Sequence, residues 1–129
     1  MSLCQGPLLG DYITESIGYQ LPDPAVYLGK TRDGVPRCVA GFGNYRGYDV
    51  EVFLWSDGGL TRDFLRRIGE YAFRELRVKF VRCTVAADQP DWLAQVERMG
   101  FRREGIERGG FDGQIDNIRL SVTAEEFIL

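Results

Sequence analysis

The chain has 129 residues, of which 44% are hydrophobic and 27% charged, with a net charge of −3. That composition suits one globular domain with one core, and the acidic balance argues against nucleic acid as a partner. The absence of histidine excludes Ser–His and Cys–His nucleophilic devices and most zinc sites, which leaves acid–base chemistry to Asp, Glu, Tyr, Cys, Lys or water.

The residues Leu8, Leu9, Tyr12, Ile13 and Ile17 recur at helical spacing and predict a short amphipathic helix, stopped by Pro22 and Pro24. Ala25 to Gly29 reads as a strand. Arg32, Asp33 and Gly34 follow as a hairpin turn, and Val35 to Gly43 as the returning strand, with Pro36 limiting its pairing. After a turn at Gly43, Asn44 and Gly47, Tyr48 to Trp55 forms a third strand. Val50, Val52 and Leu54 lie on one of its faces, Asp49, Glu51, Phe53 and Trp55 on the other.

Past Asp57, Gly58 and Gly59 the period changes. Leu60, Phe64, Leu65, Ile68, Ala72, Phe73 and Leu76 mark one face of a long helix, with Thr61 as its N-cap. Lys79 to Ala86 reads as a strand. A second helix begins near Asp88, Gln89 and Pro90, buries Leu93 and Val96, and ends at Gly100. Phe101 to Glu107 and Gln114 to Val122 pair as a last antiparallel hairpin around Gly109, Gly110 and Gly113. The strand, long helix and strand in the middle form a βαβ unit, so a single α/β domain over residues 1–129 follows, with a mixed sheet covered by helices. Cys4, Cys38 and Cys83 make no close pair and no metal motif. No apolar stretch reaches membrane-spanning length and the N-terminus lacks a secretion pattern, so a cytoplasmic location with no membrane partner is expected.

Several stretches between Tyr48 and Phe127 resemble the GNAT (Gcn5-related) N-acetyltransferase family. Val96-Glu97-Arg98-Met99-Gly100-Phe101, followed by Arg102-Arg103-Glu104-Gly105, is similar to that family's helix, Gly-Phe and Glu-Gly run. Leu60 to Arg66 ahead of Tyr71-Ala72-Phe73 resembles a short subgroup common in phages and bacteria, which would place a phage-encoded chain in the host cytoplasm. The resemblance implies a GNAT-like, mostly antiparallel twisted sheet of about six strands flanked by about three helices. It also implies acetyl-CoA as co-substrate, no metal, and a primary amine of a protein or small molecule as acceptor.

The chemistry of such a site needs a strand edge for the amide-bearing pantetheine arm and a helix N-terminus for the pyrophosphate. Phe53, Leu54 and Trp55 offer the strand, and two parallel strands are expected to part just past Leu54. Gly58, Gly59, Leu60, Thr61 and Arg62 offer the loop and helix start. The family's phosphate loop reads Arg/Gln-x-x-Gly-x-Gly/Ala, so the loop here is degenerate, and Asp57 would repel a phosphate. Gln89 stands where the family has Asn on the arm. Glu51, a carboxylate near Phe53 and Trp55, is the candidate general base. Val96 occupies the position of the family's acidic Tyr, and Trp92 sits close to the expected path of the arm. Asp112 and Asp116 either attract a cationic amine or make turns. The alternative function is a non-catalytic GNAT-like module for protein binding or self-assembly as a homodimer, with Trp55, Trp92 and Phe127 as exposed interface aromatics.

Overall fold

A turn with left-handed backbone fixes the first hairpin of the sheet. The computed structural model describes residues 2–5, 25–57, 60–110 and 112–127. Strand β2 (Val26–Arg32) turns through Asp33 and Gly34, at φ 54° and 77°, into β3 (Val35–Gly43). Positive φ at both central residues is the mirror-image turn whose twist suits a two-residue hairpin. Lys30 pairs with Cys38 and Thr31 with Pro36, so Arg37 bulges out of the ladder. The next ladder, from β3 to β4 (Asp49–Ser56), starts only at Cys38, beyond Pro36. A proline without an N–H is therefore kept off the interior pairing.

Helix α1 (Arg62–Gly69) follows, then a wider π-helical turn (Glu70–Glu75) in place of a continued α-helix. Strand β5 (Phe80–Ala86), helix α2 (Pro90–Arg98), β6 (Arg102–Glu107) and β7 (Asn117–Val122) complete the described chain. The sheet runs β1-β2-β3-β4-β5-β7-β6, with β1 (Ser2–Gln5) at one edge. Only β4 and β5 pair in parallel among these strands. The mixed, mostly antiparallel sheet matches the expectation, with seven strands among the described residues instead of about six, because β1 was not foreseen. The predicted helix over residues 8–17 lies outside the described residues.

Both helices press on one face of the sheet. Phe64, Ile68 and Ala72 from the α1 side, and Leu93, Val96 and Met99 from the α2 side, meet Leu28, Ala40, Phe42, Val50, Val52, Val81 and Leu120 in a single core. Strand alternation sends the other residues of β4 and β5 to the opposite face. That face carries Glu51 and Arg82, which stand in register.

Candidate active site

Strands β4 and β5 lie side by side for only three register pairs: Asp49 with Phe80, Val50 with Val81, and Glu51 with Arg82. Beyond these, β4 keeps its ladder with β3 as far as Ser56, and β5 keeps its ladder with β7 as far as Ala86. The two strands therefore part into a wedge. The opening starts after Glu51, not just past Leu54 as the sequence suggested. Glu51 is the β4 residue laddered on both sides, to Gly43 and to Arg82.

Charge holds the closed end of the wedge. The Asp49 side chain is only 3% exposed. It accepts hydrogen bonds from Arg46 Nε at 2.8 Å, from the second Arg46 nitrogen, and from Arg82 Nε at 2.6 Å. Arg82 also donates to Glu104 on β6 at 2.7 Å. The two guanidiniums, Arg46 first and then Arg82, hold the Asp49 carboxyl below the usual range against the opposing effect of burial. Each guanidinium also covers an aromatic ring, Arg46 that of Tyr48 at 5.0 Å and Arg82 that of Phe80 at 4.9 Å.

A cleft of about 260 Å³ opens beside this network on the sheet face opposite α1 and α2. Arg46, Glu51, Arg82, Thr84, Glu104, Gly105 and Arg119 line it. In the cleft Glu51 stands with Arg46, Arg82, Arg119 and Glu104, while Phe53 and Trp55 share its face further along β4. Burial, with a smaller contribution from the Glu51 charge, pushes the Cys83 thiol up to about 12, so it is no nucleophile at neutral pH.

No family model and no curated protein matches the sequence. Solved structures do match its shape. A mutant of the spermidine N-acetyltransferase SpeG from Vibrio cholerae superposes with a TM-score of 0.76 at 11% identity, covering 99% of this chain and 98% of that one. The N-acetyltransferase PseH of Campylobacter jejuni, in complex with acetyl coenzyme A, gives 0.64 at 16% identity over 88% and 75%. A structure described as a probable acetyltransferase gives 0.68 at 22% identity over 93% and 71%. This chain has the GNAT acetyltransferase fold.

In that GNAT fold the sequence-predicted residues are only partly brought together. Glu51, Phe53, Leu54 and Trp55 follow one another along the β4 side of the wedge. Leu54 and Leu60 pack against the core, while Phe53 and Trp55 lie half-buried on the Glu51 face. Gly58 and Gly59 lie outside the described residues. Thr61 holds the N-cap position of α1, but its side chain makes no capping bond. Its hydroxyl donates to Asp63 and accepts from Lys30 Nζ at 2.7 Å. Lys30, 4% exposed, also donates to both Asp63 oxygens at 2.7 Å. The buried ammonium thus recruits the hydroxyl that the sequence assigned to capping. Arg62 is exposed at the first position of α1 and makes no ion pair among the described residues. Gln89 occupies the N-cap position of α2 and is exposed, without a side-chain cap bond.

Other candidates have structural roles. Asp112 accepts the backbone N–H groups of Gln114 and Ile115, and Asp116 that of Gly109, each at 2.9 Å, which is turn chemistry. Trp92 and Phe127 are half-buried against the core, and Phe127 meets the rings of Phe73 and Phe101 at 6.1 and 6.3 Å. They are not the exposed interface aromatics that the sequence suggested. Sequence reasoning missed Asp49, Arg46, Arg82 and Arg119 as members of the site. A lone cation inside the otherwise uncharged run Phe80–Ala86 was the one available signal for Arg82.

Proposed function

We propose that the chain is an acyl-CoA-dependent N-acetyltransferase that moves acetyl from acetyl-CoA to a primary amine by direct attack. The observation that carries this reading is the parting of β4 and β5 after Glu51 and Arg82. A wedge between parallel strands takes an extended, amide-bearing arm as if it were an added strand. The fold neighbours support the choice, since they include a spermidine N-acetyltransferase and an N-acetyltransferase in complex with acetyl coenzyme A. On this reading Phe53, Leu54 and Trp55 receive the arm from one side and Gln89 from the other. Gly58, Gly59, Leu60, Thr61 and Arg62 face the pyrophosphate at the start of α1, where backbone N–H groups and the exposed Arg62 favour an anion.

Acetyl-CoA supplies an activated acyl carbon. The acceptor arrives as an ammonium and must lose a proton before its nitrogen can attack. Glu51, where the wedge begins to open, takes that proton. The amine lone pair then forms the nitrogen–carbon bond, the carbon–sulfur bond breaks with its electrons leaving on sulfur, and the surplus proton on nitrogen passes through water to the thiolate. Val96, 1% exposed within the core, gives the departing thiolate no proton. Acetyl-CoA at a hundred times its Kd is expected to stabilise the fold by about 2.7 kcal/mol, read as a rise in melting temperature. Glu51→Gln keeps that rise and lowers turnover by at least about a hundredfold. An unmoved melting temperature at millimolar acetyl-CoA would sink the reading.

Two observations favour a second reading, a non-catalytic GNAT-like module that binds a protein or a second copy. On the helix side of the wedge, Leu54, Leu65, Phe73 and Phe127 leave a void of only about 10 Å³. At the start of α1, Asp63 already holds Lys30 and Thr61. Such a module melts at the same temperature with and without acetyl-CoA.

A further inference from the structure

Most of the charged groups around the cleft are committed to one another. Arg46 is bound through two nitrogens to Asp49, and Arg82 bridges Asp49 and Glu104. Two side chains are left over, of opposite sign. Among the described residues neither the Glu51 carboxylate nor the Arg119 guanidinium makes a hydrogen bond. Arg119 has one ion pair, to Glu107 at 3.5 Å, which is too long for an N–H···O bond, and its side chain is 53% exposed. Both line the same cleft. In the sheet Arg119 stands in register with Thr84 on one side and Gly105 on the other. A Cβ built at Gly105 would meet nothing within 4 Å, so the space beside the guanidinium is open.

We propose that the acceptor is a small aminocarboxylate, with its amine at Glu51 and its carboxylate on Arg119. The inference rests on the transferase reading given above. A guanidinium fork matches a carboxylate through two parallel hydrogen bonds, and charge-assisted bonds of this kind are the strong ones. A polyamine would instead bring a second cation toward Arg46 and Arg119, which selects against it. The cleft, at about 260 Å³, is small for a ligand pocket and suits a compact acceptor.

The test pairs each common L-amino acid with its amide as acceptor, with spermidine as a third probe, and compares kcat/KM per deprotonated amine. The best acid should exceed its amide by at least about tenfold. Arg119→Gln should bring that ratio close to one, and Arg119→Lys, which keeps the charge without the fork, should leave it in between. Amides or spermidine turned over as fast as the acids would overturn the inference while leaving the transferase reading intact. A second measurement separates the two: melting temperature with amino acid alone, without acetyl-CoA. A rise seen in the native chain and lost in Arg119→Gln supports the aminocarboxylate site even if no acetylation occurs. The absence of both turnover and a rise overturns it.

Discussion

Burying a carboxylate is expensive unless its partners replace the lost water, and Asp49 has three such donors from two arginines. Asp49→Asn should cost about 3 kcal/mol in urea denaturation. That lies at the low end for a broken buried pair, because Arg46 is 57% exposed and water can reach it. A second residue-scale expectation concerns acid. Lys30 first and Thr61 second lower the Asp63 carboxyl to about 2 from its ordinary 3.8. A group lowered on folding contributes stability that is complete above its ordinary value and is lost as pH falls from there through the folded value. The urea midpoint should therefore fall between about pH 4 and pH 2, and Asp63→Asn should flatten part of that fall. Only part is expected, since Asp49, Glu97, Asp112 and Glu126 are lowered as well.

At the scale of elements, local chemistry made some boundaries legible and tertiary contacts erased others. The Asp33-Gly34 turn and the stop at Gly100 could be read because few residues tolerate such backbone. Gly100 has φ 105°, and a Cβ there would stand 2.0 Å from the Glu126 carbonyl oxygen. Gly100→Ala should cost more than about 1 kcal/mol, measured as a lowered thermal midpoint, because both the backbone angle and the contact must give. The helix expected to run from Leu60 to Leu76 was only half legible. Its apolar spacing fits a continuous α-helix, but from Glu70 the chain widens into a π turn, with Leu76 N–H donating to the Tyr71 carbonyl at 2.9 Å. The wide turn accompanies Tyr71 set edge-on to Phe42 at 4.9 Å and Phe73 turned toward Phe127. Those partners lie far away in sequence, beyond any periodicity count. The site divides in the same way. Glu51 was visible as a carboxylate on a strand, whereas Asp49 and Arg82 meet across 33 positions and are recognisable as a pair only once β5 lies beside β4.

For the whole molecule, the order of strands and helices pointed to the GNAT fold, and the parallel pair in the middle of the sheet carries the proposed chemistry. One side chain joins the pieces of that sheet. Arg82 belongs to β5 and reaches Asp49 on β4 and Glu104 on β6, at 2.6 and 2.7 Å. Neither partner is local, so these bonds close only after the halves of the sheet have docked. Interactions absent from the folding barrier act on the rate of escape from the native state. Arg82→Met should accordingly steepen the loss of native protein, raising the unfolding limb of a stopped-flow chevron while the refolding limb stays nearly where it was. The arginine beneath the wedge would then set how long a molecule survives between unfolding events, a lifetime governed by a single late-closing clasp.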